Sequence, residues 1–539
     1  MPGKKVNQIK ATGGLNLSFT MLSNGRIHTM DPKAPQTEAV VIGFGKILAT
    51  GKARDLEDQF RPTCKVDLGG AMLLPGLVDA HVHLFAYAQR LEWIDLDGLL
   101  LEEALSRIAA AAKRIKPGEW LCGGGYNSNL WDKVPDRHLL DSVTADVPVV
   151  LDSKDFHTLW VNSALLKTIG VDANTPNPPG GSLDRETDGF PSGIIREYAS
   201  ALLQGKRPVI DLNRRAEIIE HGIEKLYSYG LTGVHAPEGI AELGALQKLQ
   251  RADRLNFRVS VMLPKEALPM AESVGLQTGL GGEWLNVIGV KLFADGSLGS
   301  QTAFMLAPYE NSADYRGIAV VAPEELQDQI ARANRSGLAV AVHAIGDAAV
   351  RTVLDCLEAA QEEAQRWQIR NRIEHLQLIT KEDLPRLSKL GVIASMQPLH
   401  CTSDIDIVKK HWGEHRGYAY GWRSVEQSGV NLAFGSDAPV EVPDPLQGIY
   451  AAATRKRCDN TPAGGWQPEE TISVTSAIRA YTSGAAWAAG REKEFGTIEP
   501  GKAADFTVLD HDIIAEGPES ILQTRVIGTM ISGRWVYGG

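Results

Sequence analysis

The chain has 539 residues with 43% hydrophobic, 22% charged and 6% aromatic content, globular proportions that exclude a disordered or fibrous protein. Its net charge is −11, from 55 Lys and Arg against 66 Asp and Glu, and no dense basic run stands out, which argues against nucleic acid or an anionic membrane and for a small-molecule substrate. Five scattered cysteines without a CxxC pair exclude a disulfide framework and a Cys-ligated zinc, and the first residues lack an apolar signal core; a cytoplasmic protein is expected, with a homo-oligomer left open.

In chain order, 15–75 reads as short strands (SFTMLSNGRIHTMD, AVVIGFGKILATG, KVDLGGAMLLP) bounded by Gly, Asn or Asp. Eight apolar, β-branched runs follow at 76–83, 232–236, 257–262, 287–293, 338–344, 372–376, 392–397 and 432–436. Helical patterns at 214–229, 323–336, 348–367, 384–390 and 446–455 separate most of them. Strands alternating with helices predict an α/β protein with a parallel sheet, and eight βα units predict a (β/α)8 barrel over 76–490, whose chemistry sits at the C-terminal strand ends. The link from strand one to strand two is far too long for one βα connection. It carries WLCGGGY, VPVVLDSKDFH and the Pro/Gly-rich NTPNPPGGSLDRETDGFPSG, so an inserted lid or subdomain is expected over about 85–210. The end, 491–539, returns to strand texture and is expected to pair with 15–75 in one composite β domain.

The strongest local signal is Pro75-Gly76-Leu77-Val78-Asp79-Ala80-His81-Val82-His83. Residues i and i+2 of a strand share a face, so both imidazoles aim at one spot, as ligands of a zinc-like ion do. His343 closes GLAVAVHAIGD, His375 closes NRIEHLQ, Asp437 closes NLAFGSDAP and Lys291 lies in IGVKLFADGS. In a barrel these strand ends meet, and four imidazoles with a carboxylate suit one or two divalent cations. An ammonium beside such ions would be repelled. Lys291 therefore reads either as a desolvated amine that captures carbon dioxide and bridges two metals as a carbamate, or as a structural lysine paired with Asp295.

The set PGLVDAHVH, Lys291, His343, His375, Asp437 and the closing GTIEPGKAADFTVLD resembles the amidohydrolase superfamily of metal-dependent hydrolases. GYNSNLWD, DFHTLWVNSALL, GFPSGIIRE, KLFADGSLGS, VHAIGDAAV, IEHLQL and SDAPVEVPDPLQGIYAA resemble its family 3, the branch that includes N-substituted formamide deformylases. The resemblance implies a composite β-sandwich beside a distorted (β/α)8 TIM barrel, a metal centre and carboxylation of Lys291; the expected cofactor is one or two divalent ions per chain, with zinc as the first choice. Relatives resembling adenosine deaminase carry a glutamate three residues after the fifth-strand histidine; Gly346 stands there, which disfavours purine-type deamination.

A divalent ion lowers the pKa of bound water toward ~7, and Asp437 is the expected general base that then protonates the leaving nitrogen. His235, ending strand two, and His400, just beyond strand seven, are expected to stabilise the oxyanion. Tyr126, His157, Trp160 and Asn162 in the insertion, Glu197 of GIIRE and Gln397 of SMQPLH are expected at the substrate, and Trp412, Trp422 and Trp466 suggest an apolar pocket. The expected reaction is hydrolysis of an amide-type C–N bond, with a lactonase or esterase on the same centre and a non-catalytic ligand-binding relative as alternatives.

Overall fold

The computed structural model describes residues 19–153, 158–178, 181–203, 205–206, 208–310, 312–413 and 418–539. Among them, eight parallel strands follow one another round a barrel: β1 (Leu77–Asp79), β2 (Leu231–Pro237), β3 (Arg258–Pro264), β4 (Leu285–Phe293), β5 (Val340–Ala344), β6 (Arg372–His375), β7 (Ile393–Met396) and β8 (Leu432–Phe434). They are apolar along nearly their whole length because helices cover one face of a parallel sheet while the barrel interior fills the other. Each of the eight runs expected from the sequence becomes a strand. The first is shorter than expected, since the chain leaves the ladder after Asp79.

Closure between β1 and β8 occurs just past the strand ends. Ala80 N–H donates to Phe434 O at 2.9 Å, Asp437 N–H to His81 O at 2.7 Å and His83 N–H to Ala438 O at 2.9 Å, with Val82 bridging Ala438. These bonds keep 80–83 extended, so the period of two continues through the histidines. The helical pattern expected at 348–367 resolves into two helices, Asp347–Ala359 and Gln361–Trp367, which meet at the non-helical Ala360.

The chain ends build an eight-stranded sheet of their own from five N-terminal strands and Phe506–Leu509, Val526–Ile531 and Arg534–Gly538. Its seam is the antiparallel pair Met72–Pro75 with Phe506–Leu509. Thr20–His28 bulges between Ser23 and Ile27, pairing with Cys64–Asp67 before the bulge and with Met72–Pro75 after it. Alternation puts Leu22, Val40 and Phe506 in one core, and Met21 and Val41 in another, which Leu56 of the helix Ala53–Phe60 joins.

The barrel and this sheet belong to one unit, and Leu84–Gly222 with Gly244–Leu249 makes a second. The second unit has a six-stranded sheet ordered Gly181–Arg185, Pro191–Glu197, Thr158–Val161, Val149–Ser153, Leu121–Tyr126, Ile94–Asp95. Helices Leu101–Ala112 and Ser163–Ile169 pack their buried leucines and isoleucines into its two cores.

Candidate metal centre

At the C-terminal end of the barrel the expected strand-end residues converge. The His81 ring centroid lies 5.6 Å from that of His83 and 5.1 Å from that of His375, and His343 lies 4.4 Å from His375. Asp437 Oδ1 stands 3.2 Å from His83 Nε2 and 3.5 Å from His81 Nε2, and Lys291 Nζ is 3.5 Å from His81 Nε2. Two triads of ligand atoms share the aspartate: His81, His83 and Asp437, and His375, His400 and Asp437, the atoms of each lying within 4.8 Å of one another.

Backbone geometry aims two of these residues. His375 and Asp437 hold φ of +72° and +59°, left-handed values that non-glycine residues adopt at a cost, here at the point where β6 and β8 turn over the mouth. Asp79 organises the neighbouring turn. Its buried carboxylate accepts from the N–H of His81 and of Ser436, both at 3.0 Å, and so ties the end of β1 to the end of β8.

The partners of each imidazole decide which nitrogen is free. His81 Nδ1 donates to Glu374 Oε2 at 2.5 Å, leaving Nε2 toward Lys291 and Asp437. His375 Nδ1 donates to Gln397 Oε1 at 2.9 Å, leaving Nε2. His343 is reversed: Nε2 donates to Gly296 O at 3.0 Å, leaving Nδ1. Hydrogen bonding at the far nitrogen fixes tautomer and ring orientation in the manner of metal-binding histidines.

Burial keeps these rings neutral. It lowers His81 and His343 to about 4, with the charge of Lys291 adding to it, and holds His375 well below the usual range, with His343 adding. Burial alone would raise Asp437, but His81, His83 and His375 outweigh it and hold the carboxyl well below its ordinary value. Burial also lowers Lys291 to about 8. Asp437 Oδ1 and His400 Nε2 are buried without a hydrogen bond among the described residues. The neutral nitrogens of His81, His343 and His375 and the ionised, buried carboxylate of Asp437, with His83 Nε2 3.2 Å from it, fit a divalent cation.

Asp295 is not the partner of Lys291. It accepts from the N–H of Phe304, Ile345 and Gly346 at 2.8 to 3.0 Å, with His343 Nε2 at 3.7 Å. Gly346, where the deaminase-type glutamate would stand, has no room for any side chain, since a Cβ would lie 2.0 Å from Phe304 O.

Two groups were invisible to sequence reasoning. Arg372 and Glu374, two apart on β6, share a face and point into the barrel, where Arg372 pairs with Glu374 and donates to His235 Nδ1 at 3.0 Å, Ala80 O at 2.8 Å and Ser395 Oγ at 2.6 Å. Nothing but that spacing signals it. His235 is thus committed to Arg372 through Nδ1, and its Nε2 is buried without a hydrogen bond among the described residues. His400 sits with Nε2 3.9 Å from Asp437 Oδ2, and Gln397 supports His375.

Tyr126, Trp160 and Asn162 belong to the second unit. Tyr126 and Trp160 are buried in the core of the second unit, stacked and edged against Trp131, with Trp160 Nε1 donating to Asp136 O at 2.7 Å. Asn162 caps helix Ser163–Ile169: its Oδ1 accepts from Leu165 and Val149 N–H, and its Nδ2 donates to Thr144 Oγ1 and Val147 O. That uses its side chain fully, so a structural cap stands where pocket wall was expected. Glu197 ends the strand Pro191–Glu197, and His157 lies outside the described residues. Trp412, Trp422 and Trp466 are buried as well, the last two stacking on the Arg455 guanidinium at 4.6 and 4.9 Å, so they are packing and not an open pocket.

Comparison with known proteins agrees with this geometry. The Bacillus subtilis (strain 168) protein YtcJ is 32% identical over 527 residues, 95% of this chain and 98% of that protein. The N-substituted formamide deformylase of Arthrobacter pascens is 26% identical over 532 residues, covering 95% and 97%. A metal-dependent hydrolase of Pyrococcus furiosus of known crystal structure superposes with a TM-score of 0.77 at 30% identity, covering 92% of this chain and all of that one. The sequence profile of the amidohydrolase family matches residues 65–537, and the chain belongs to that family.

Proposed function

We propose that the protein hydrolyses the C–N bond of an N-substituted amide, releasing a carboxylic acid and an amine, at a centre of one or two divalent ions with zinc as first choice. The reading is supported most by the convergence of four imidazoles, Lys291 and an ionised aspartate at the barrel mouth, together with likeness to the deformylase along nearly its whole length. Bound there, the metal supplies a Lewis acid for the carbonyl and a water acidic enough to act at neutral pH.

The remaining chemistry belongs to the chain's residues. Asp437, kept ionised by the surrounding histidines, takes the proton of the attacking water on its carboxylate and returns it to the nitrogen that leaves. An amine departs poorly as an anion, so that return is the step for which an amide needs the aspartate. His400, 3.9 Å from Asp437 Oδ2, is placed to donate from Nε2 to the developing oxyanion. His235 has its Nδ1 occupied by Arg372 and therefore carries its proton on Nε2, a donor of the same kind. Lys291, buried among imidazoles, would repel a cation as an ammonium, and carboxylation on Nζ converts it into a ligand. The reading further takes the protein as a cytoplasmic enzyme acting on a small molecule. Cys64, Cys356, Cys401 and Cys458 are free thiols, as a reducing compartment allows, and among the described residues no helix is long and apolar enough to cross a membrane.

The test uses the proton. Metal-loaded enzyme should cleave N-substituted amides and lose activity on chelation. Asp437→Asn should abolish amide turnover while sparing more of the hydrolysis of an activated ester, in protein shown by elemental analysis to keep its metal. Equal loss on both substrates would remove Asp437 as the proton donor. Ester or lactone cleavage with every amide of a broad panel untouched would replace the amide reading.

A further inference from the structure

Between the C-terminal ends of β1 and β4 lies a cavity of about 190 Å3. Its lining includes His83, Lys291, Pro237, Met262, Pro264 and Phe293. Any substrate whose reacting carbon sits beside His83 and Lys291 has this space next to its scissile bond. Phe293, the last residue of β4, is 43% exposed, with its ring 5.2 Å from Lys291 Nζ and 5.4 Å from the His343 ring. Its ring is therefore open to whatever occupies the cavity. An apolar cavity of about 150 Å3 takes up benzene, so this one suits a group of about six heavy atoms, a single ring or a branched alkyl group.

Charge narrows the occupant further. Pro237, Met262, Pro264 and Phe293 carry no side-chain donor for a charged group, which would give up its hydration against them without replacement. Lys265 and Glu266, which also line it, are exposed to solvent. We infer that this cavity is the specificity pocket of the site, that it takes a neutral apolar group of about six heavy atoms flanking the scissile bond, and that Phe293 and Met262 set the size it accepts. The inference rests on the amide-hydrolase reading but identifies residues and a size limit that the reading leaves open.

Two matched amide series test it with metal-loaded enzyme, one varied on nitrogen and one on the acyl carbon, through methyl, isobutyl, cyclohexyl, naphthyl and carboxymethyl. In one series kcat/KM should peak at cyclohexyl, on the order of tenfold above methyl, and fall for naphthyl and for carboxymethyl. Phe293→Ala should remove most of that tenfold advantage through KM, and Met262→Ala should shift the optimum to the larger group. If amides are cleaved but neither variant, with metal content intact, alters the size profile, the pocket is wrong while the amide reading stands. Saturation-transfer NMR with cyclohexanol separates the two further. Saturable binding that weakens in Phe293→Ala supports the pocket even where no amide is turned over, and absence of binding to wild-type enzyme overturns it.

Discussion

Glu374 accepts from His81 Nδ1 at 2.5 Å, is itself held by Arg372 inside the barrel, and is fully buried. Burial would raise its carboxyl, yet Arg372 and His81 hold it well below the usual range, so it stays ionised and keeps the His81 tautomer with Nε2 free. Glu374→Gln should weaken metal binding by ~10–100-fold, measured by competition with a chelator; unchanged affinity would show that His81 orients itself. Lys291 carries a second expectation. Lys291→Ala should lose metal and most activity, and short-chain carboxylic acids should partly restore both by filling the place of a carbamate. Full metal content in the variant by elemental analysis would leave Lys291 outside the ligand set. Neither Glu374 nor Arg372 stood out in the sequence, because the same i, i+2 spacing on any strand gives a harmless pair as often as a support for a ligand.

At the scale of elements, all eight barrel strands were legible, because a parallel strand covered on both faces must be an apolar run and such runs recur between helices. Strand ends were less so. In NRIEHLQ strict alternation would set His375 opposite Glu374, and it is the left-handed φ of +72° at His375 that brings its ring to the mouth while Glu374 stays inside. In the insertion the residue types were read as pocket wall, although Tyr126 and Trp160 serve the core and Asn162 a helix cap. Asn162→Ala should therefore destabilise the protein by ~0.5–2 kcal/mol, toward the upper end because Val149 N–H loses its acceptor too, seen as a lowered Tm with metal content unchanged. A loss of metal or a selective rise in KM without any change in Tm would return Asn162 to the substrate.

Across the whole molecule, the terminal sheet is joined to the barrel by a buried charge pair. Arg258, at the start of β3, donates to Asp505 from Nε at 2.5 Å and from Nη2 at 2.9 Å, and Asp505 also accepts from Ser532 N–H at 2.9 Å. Removing one partner of a buried pair strands the other in a medium that cannot solvate it. Asp505→Ala should cost ~3–5 kcal/mol, and hydrogen exchange should quicken first in Val526–Ile531 and Arg534–Gly538. Uniformly unchanged exchange in those strands would mean that apolar packing alone holds the sheet.

The sequence by itself determined the barrel and the kinds of residue at its mouth, because burial imposes hydrophobic periodicity and a closed parallel sheet brings every C-terminal strand end to one place. Only the tertiary structure decided which imidazole nitrogen is free on His81, His343 and His375, since each choice depends on a partner far along the chain: Glu374, Gly296 O and Gln397. It also decided which aromatics are buried packing and which one, Phe293, stays open beside the centre, a distinction that residue type cannot carry because a tryptophan in a core and one in a pocket satisfy the same hydrophobic preference.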